Sequence, residues 1–173
     1  MALALGGNLP GPQGAAASTL AWALRQLAAS LGPLRVASLY RSRPISPVPQ
    51  PAQPDYLNTA AVGRTALPPD AVLALAKTLE LAAGRRRGVR FGPRPLDIDL
   101  LLYGDHRSDA VELTLPHPRL RERRFVLAPL AEIAPDLRLP PDGVTVAELL
   151  AQLGAAGAAD AADAVERIDW GSA

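Results

Sequence analysis

The order of elements read from the sequence predicts an α+β fold, a mainly antiparallel sheet with helices packed on it. Two observations carry this. Apolar residues recur at helical spacing over residues 12–31 and 68–83, and at period two over 96–103. The strands and helices run β-α-β-β-α-β and then mix, without the regular β-α alternation of a doubly wound parallel sheet.

Residues 2–5 read as a strand that Gly6-Gly7-Asn8 breaks. Ala16, Leu20, Ala23, Leu24, Leu27 and Leu31 form one helical stripe, and Gly32-Pro33 stops it. β-branched and aromatic residues make 34–41 a strand. Residues 42–55 hold five prolines (44, 47, 49, 51 and 54) and read as a loop long enough to suggest a functional role. Residues 56–65 read as a strand and 68–83 as a helix ending at Gly84. The 96–103 strand sets Leu96, Ile98, Leu100 and Leu102 on one face and Asp97, Asp99, Leu101 and Tyr103 on the other. A short extended piece at 111–115 leads to Pro116-His117-Pro118. Helices follow at 121–133, with a break at Pro129 left open, and at 144–153. The domain is expected to span 1–153, and the Ala/Gly/Asp-rich stretch 154–173 to be a peripheral tail.

Composition narrows the chemistry. The 173 residues include no cysteine, which excludes disulfides, thiolate metal sites and a cysteine nucleophile. There is one lysine against 17 arginines, and the net charge is +1. Bulk charge therefore gives no reason to expect a polyanion partner. A nucleic-acid module would need exposed aromatics for stacking, but these are only 4% of the chain, and the Asp pair would repel phosphate unless a metal were bound. The apolar start ends at Leu5, too short for a signal peptide, and no run approaches the roughly 18 apolar residues of a membrane span. The expected location is the cytoplasm, with no membrane and no nucleic-acid partner.

Asp97 and Asp99 are the sharpest chemical feature. Two carboxylates two residues apart on a strand point the same way, about 6.5 Å apart at Cα. Such hard oxygens suit Mg²⁺, although alternation alone equally allows a solvated face. Arg85, Arg86, Arg87 and Arg94 precede them among glycines and a proline. Guanidinium forks match phosphate oxygens, so this segment has what Mg-nucleotide chemistry needs, though a basic run can also be a solvated loop. His117 is held between prolines, with Arg119, Arg121, Arg123, Arg124 and Phe125 nearby. Tyr56 and Asn58 share a strand face and could hold a flat heteroaromatic ring, or could equally be core. Gly6-Gly7-Asn8 is a weak turn signal.

Several blocks in order bear a family likeness. These are Leu5-Gly6-Gly7-Asn8-Leu9, Tyr40-Arg41-Ser42, Gln53-Pro54-Asp55-Tyr56-Leu57-Asn58, Leu79-Glu80 with Gly84-Arg85, Phe91-Gly92-Pro93-Arg94-Pro95-Leu96-Asp97-Ile98-Asp99-Leu100, Leu113-Thr114-Leu115-Pro116-His117-Pro118-Arg119-Leu120, and Arg123-Arg124-Phe125-Val126-Leu127. From about residue 3 to 153 the chain resembles the 6-hydroxymethyl-7,8-dihydropterin pyrophosphokinases of folate biosynthesis. Gly7 stands where a serine is common in that family.

The resemblance implies a ferredoxin-like three-layer α/β/α sandwich. It also implies transfer of diphosphate from ATP to the pterin hydroxymethyl group with release of AMP. It assigns catalysis to Arg85, Arg94, Asp97 and Asp99, with two Mg²⁺ ions on Asp97 and Asp99. ATP would meet Glu80, Arg87, Arg94, Ile98, Thr114, His117 and Arg123. The dihydropterin would meet Ser42, Pro44, Ile45, Tyr56, Asn58, Phe91 and Phe125. A monomer is expected, with a dimer left open.

Overall fold

The computed structural model of the chain describes residues 1–45, 52–86, 92–156 and 164–172. In order, it runs β1 (Ala2–Gly7), α1 (Ala16–Leu31), β2 (Leu34–Val36), β3 (Leu39–Ser42), β4 (Tyr56–Gly63), α2 (Pro69–Ala82), β5 (Asp97–Leu102), β6 (Ser108–Ala110), β7 (Leu113–Leu115), α3 (Arg124–Ile133), β8 (Arg138–Leu139), β9 (Val144–Thr145), α4 (Val146–Ala156) and β10 (Val165–Ile168). The main sheet has the order β10-β3-β4-β1-β5, with β2 also on β4, and every pairing is antiparallel. This is the mixed α/β, mainly antiparallel arrangement expected from the element order.

Alternation along β1 explains how the sheet is covered. Leu3 and Leu5 join a buried cluster with Leu20 and Leu27 of α1 and Val72 and Ala76 of α2. Ala2 and Ala4 point the other way, into a second cluster with Val126, Leu127 and Leu130 of α3 and Leu149 of α4. Leu20 and Leu27 are fully buried, and each such leucine stabilises the fold by about 1.5–3 kcal/mol.

Several elements differ from the sequence expectation; β1, for one, continues through Gly6 and Gly7. α1 begins at Ala16 rather than near Pro12, because Gly11 and Gly14 exchange backbone hydrogen bonds of 2.9 and 3.0 Å in a turn, with Gly14 at φ 107°. The strand expected over 34–41 is split into β2 and β3. At the break the Ala37 carbonyl accepts from Thr59 Oγ1 and Trp170 Nε1, while the Ser38 N–H is taken by Glu132. The face assignment of 96–103 holds to Leu101. A register shift against Ala2/Leu3 then puts both Leu101 and Leu102 in the α3/α4 cluster and turns Tyr103 to the α1/α2 side. The 121–133 helix is interrupted at Arg123, between a 3₁₀ turn (Leu120–Glu122) and α3, and runs unbroken through Pro129.

The stretch expected to be a peripheral tail returns to the sheet. β10 pairs with β3, and Glu132 gathers this corner together. Its carboxylate accepts from Ser38 N–H (3.1 Å), Ser38 Oγ (2.9 Å), Tyr40 Oη (3.0 Å) and Arg167 Nη2 (3.2 Å). Burial first, then the hydrogen bond and charge of Glu132, push the Tyr40 phenol up to about 12. No helix among the described residues is long and apolar enough to cross a membrane.

Two predictions follow from this packing. At Gly7 an added Cβ would lie 2.3 Å from the Pro95 carbonyl oxygen, so that backbone segment would have to move. Gly7→Ala should destabilise the fold by about 1–3 kcal/mol, read as a lower midpoint in urea unfolding. The folded Tyr40 phenol holds its proton above the ordinary value of 10. Its contribution is fully present below pH 10 and is lost as pH rises from 10 to about 12. Unfolding midpoints should fall across that window, and Tyr40→Phe should flatten the fall.

Candidate active site

β5 presents Asp97 and Asp99 on one face while Ile98 between them is buried against the α1/α2 side. That leucine-rich face fixes the register, since a slip of one residue would bury both acids. Their side chains are 22% and 28% exposed, so each lies in a cleft and needs a partner.

The partners are cations. Arg85 Nη1 contacts Asp97 Oδ1, and Arg94 Nη2 lies 2.9 Å from Asp97 Oδ2. Burial alone would raise the Asp97 carboxyl, but Arg94 and Arg85 outweigh it and hold it below the usual carboxylate range. Arg123 Nη1 is 3.2 Å from Asp99 Oδ2, and His117 Nε2 is 3.7 Å from the same oxygen. The His117 backbone N–H donates to Leu101 O, and its Nδ1 accepts from the Arg119 N–H. That acceptor role leaves Nε2 to carry the proton in the neutral ring. Burial, aided by Arg123 and Arg119, lowers the His117 pKa against the pull of Asp99.

Glu80 lies behind this layer, only 3% exposed on α2. It accepts the Ile98 N–H at 2.8 Å and pairs with Arg85 at 2.6 Å and Lys77 at 3.0 Å. Burial raises its pKa, opposed by the Ile98 N–H, Arg85 and Lys77. Glu80 therefore ties α2 to β5 between the two aspartates.

β4 supplies the second half of the cleft. Gly6 on β1 stands opposite both Asn58 and Asp97, so the three form one row across β4, β1 and β5. Directly opposed residues point to the same face, and strands lie about 4.8 Å apart, which sets Asn58 and Asp97 about 10 Å apart at Cα. Gly6 leaves the space between them clear, and an added Cβ would come within 3.1 Å of Asn58 Oδ1. Asn58 Nδ2 donates to Tyr40 O (3.2 Å) and Ser42 Oγ (3.0 Å). Tyr56 Oη is 3.0 Å from Gly92 O, and the Arg94 guanidinium sits 5.7 Å from the Tyr56 ring centre. Phe125, in the first turn of α3, has the Arg123 guanidinium 5.5 Å from its ring centre.

The structure thus connects Glu80, Arg85, Arg94, Asp97 and Tyr56 in one continuous set of contacts, and Asp99, His117, Arg123 and Phe125 in a second beside it. Pro44 is half-buried and Ile45 is 48% exposed just past Ser42. Thr114 is on β7, where its hydroxyl donates to Ala110 O. Arg87 and Phe91 lie outside the described residues. Asn8, Gln53 and Lys77 were not among the expected site residues. Asn8 offered a Gly-Gly-Asn turn and a place in the Leu5–Leu9 block as signals but no role, although its side chain joins the Gln53-Pro54 and Arg94 segments.

The donor set fits Mg²⁺ in a particular way. Among the described residues no group of three His, Cys, Asp or Glu could enclose a metal ion. Two adjacent carboxylates fit an ion that takes its remaining ligands from water and phosphate oxygens. The guanidinium groups now on those carboxylates show that the site accepts positive charge at that place.

The chain is similar to known proteins of one family. The family model of 7,8-dihydro-6-hydroxymethylpterin-pyrophosphokinase matches residues 2–135. A Synechocystis relative named 2-amino-4-hydroxy-6-hydroxymethyldihydropteridine pyrophosphokinase is 41% identical over 151 residues, covering 86% of this chain and 73% of the relative. A Pseudomonas aeruginosa protein of the same name is 46% identical over 116 residues, covering 67% and 69%. The crystal structure of a Plasmodium falciparum HPPK-DHPS triple mutant has a TM-score of 0.72 at 14% identity. That match covers 98% of this chain and 45% of the larger one, and shows a shared fold.

Proposed function

This chain belongs to the 7,8-dihydro-6-hydroxymethylpterin-pyrophosphokinase family, and from that membership we propose that it transfers diphosphate from ATP to the hydroxymethyl group of 6-hydroxymethyl-7,8-dihydropterin, releasing AMP. The observation that carries the reading is the row Asn58–Gly6–Asp97, which, with Tyr56 two residues back on β4, sets an amide and an aromatic beside an acid–arginine cluster across a gap kept open by glycine. The fold is read as a ferredoxin-like three-layer α/β/α sandwich. The two buried clusters, one with α1 and α2 and one with α3 and α4, support that reading.

In this reading Asn58 pairs with the edge of the pterin, Tyr56 and Phe125 flank its ring, and backbone groups at Ser42, Pro44 and Ile45 meet its rim. Asp97 and Asp99 would hold two Mg²⁺ ions. Those ions would neutralise the triphosphate and polarise its oxygens. Arg85 and Arg94 contact Asp97 now and would turn to the transferred group as negative charge develops on it. Arg123 and His117, at Asp99, face the remaining phosphate oxygens as cation and N–H donor. Glu80 holds the Ile98 N–H and fixes β5 while these partners exchange.

The reaction needs positioning rather than a covalent intermediate. The hydroxymethyl oxygen forms its bond to the β-phosphorus while the bridging oxygen to the α-phosphorus departs with AMP. Product identity separates this from neighbouring chemistries, since a simple kinase would release ADP and a nucleotidyltransferase pyrophosphate.

The test is an assay with ATP, Mg²⁺ and the hydroxymethyl-dihydropterin. AMP should form one-for-one with pterin diphosphate, and chelation of the metal should stop it. Asp97→Ala and Asp99→Ala should each lower kcat/KM by at least about 100-fold while circular dichroism shows an intact fold. Full activity in either variant would remove that residue from the metal site.

A further inference from the structure

Asn8 follows β1 directly and has no role in the reaction as described, yet it is one of the few buried polar residues, at 6% exposure. Its side chain makes three hydrogen bonds. Nδ2 donates to Gln53 Oε1 (3.1 Å) and to Pro54 O (3.0 Å), and Oδ1 accepts the Arg94 N–H (2.9 Å). The amide orientation is unambiguous, because a flip would set Oδ1 against two carbonyl oxygens. Asn8 and Leu9 also give their backbone N–H groups to Arg94 O, at 2.9 and 3.3 Å.

These partners belong to the two halves of the cleft. Gln53 and Pro54 lead directly into β4, which carries Tyr56 and Asn58, and Gln53 Oε1 is also 3.3 Å from Tyr56 Oη. Arg94 reaches from the other side to Asp97. Tyr56 Oη approaches Gly92 O as well, so a second contact joins the same two segments. We propose that Asn8 is a positioning residue that fixes the ring-binding segment against the arginine segment and so sets the spacing between the two substrates' sites. The proposal rests on the assigned reaction, in which Tyr56 and Asn58 hold the pterin and Arg94 serves the phosphates.

The side-chain chemistry makes the idea testable, because asparagine here both donates and accepts. Asn8→Asp keeps an acceptor for the Arg94 N–H and loses both donors, with a carboxylate oxygen now facing Pro54 O. It should raise the pterin KM, and weaken pterin binding by calorimetry, about five- to tenfold, the worth of about one net hydrogen bond. Its kcat and ATP KM should stay within about twofold of wild type. Asn8→Ala loses both sides, and its kcat should fall about tenfold in addition. The backbone bonds to Arg94 O remain in both variants and limit the loss.

The Arg94 amide gives a readout that needs no turnover. Its hydrogen exchange should stay protected in Asn8→Asp and speed up in Asn8→Ala. This holds whether or not wild type makes AMP from the pterin, so failure of the clamp and failure of the assigned reaction can be told apart. Unchanged pterin affinity in folded Asn8→Asp, or unchanged Arg94 exchange in Asn8→Ala, would overturn the proposal. An equal fall in kcat with equal rises in both KM values would do so too, since general loosening produces that pattern. Should Asn8→Asp fail to fold, Gln53→Ala removes one acceptor from the other side and should show the same rise in pterin KM alone.

Discussion

Three carboxylates sit close together beneath the surface at Glu80, Asp97 and Asp99, and the structure around them is arranged to make that tolerable. A buried charge without a counter-charge costs several kcal/mol. Lys77, Arg85, Arg94 and Arg123 supply the compensation in direct ion pairs. That need explains placements which otherwise look arbitrary. α2 must bring Glu80 and Lys77 to β5, the segment after α2 must return Arg85 to Asp97, and the approach to β5 must fold Arg94 back three residues onto the same acid. The Arg123 break between the 3₁₀ turn and α3 has a reason here too, since it lets one guanidinium reach Asp99 while Phe125 starts the helix beside it.

The sequence makes the acids, their shared face and the surrounding arginines legible, because period-two alternation and local clustering are short-range signals. Asp97 and Asp99 do share a face, with Arg85, Arg94, His117 and Arg123 beside them. Longer-range relations were less visible. The row Asn58–Gly6–Asp97 depends on the register of three strands, and no local pattern encodes that pairing. The bulge that turns Leu101 and Leu102 to one side is set by the Ala2/Leu3 register across the sheet, so alternation along β5 alone misassigned Leu102 and Tyr103. Asn8 was passed over for the same reason: all its side-chain partners are more than forty positions away.

The C-terminal stretch shows how composition misleads. Its alanines and glycines suggest an appendage, but Val165, Arg167, Ile168 and Trp170 have just enough pattern to add an edge strand and a tryptophan cap. The covered edge is β3, which ends in Ser42 and is held through Tyr40 to Glu132. Tyr40 O and Ser42 Oγ in turn accept from Asn58, so the tail braces from behind the strands that hold Asn58. The break between β2 and β3 belongs to this arrangement. There the Ala37 N–H stays on Ala60 O, while the Ala37 carbonyl turns to Thr59 and Trp170 and the Ser38 N–H to Glu132.

Charge balance argues that the arginines have two successive roles. The three acids and their four ion-paired bases carry a single net positive charge, with His117 held neutral by its burial. On the proposed reading two Mg²⁺ ions would add four positive charges, and a triphosphate roughly four negative ones. The filled site would then return to about its starting charge, whereas metal alone or triphosphate alone would leave it strongly unbalanced in a partly desolvated cleft. Arg85 and Arg94 are the natural intermediaries. They pair with Asp97 in this structure, and on the proposed reading a metal held there would free them, already in place, for the phosphates. A lysine could supply the charge for the first role, but arginine carries further N–H donors that match phosphate oxygens while one of its nitrogens meets the carboxylate. That is a physical reason for guanidinium at these two positions, independent of the arginine richness of the rest of the chain.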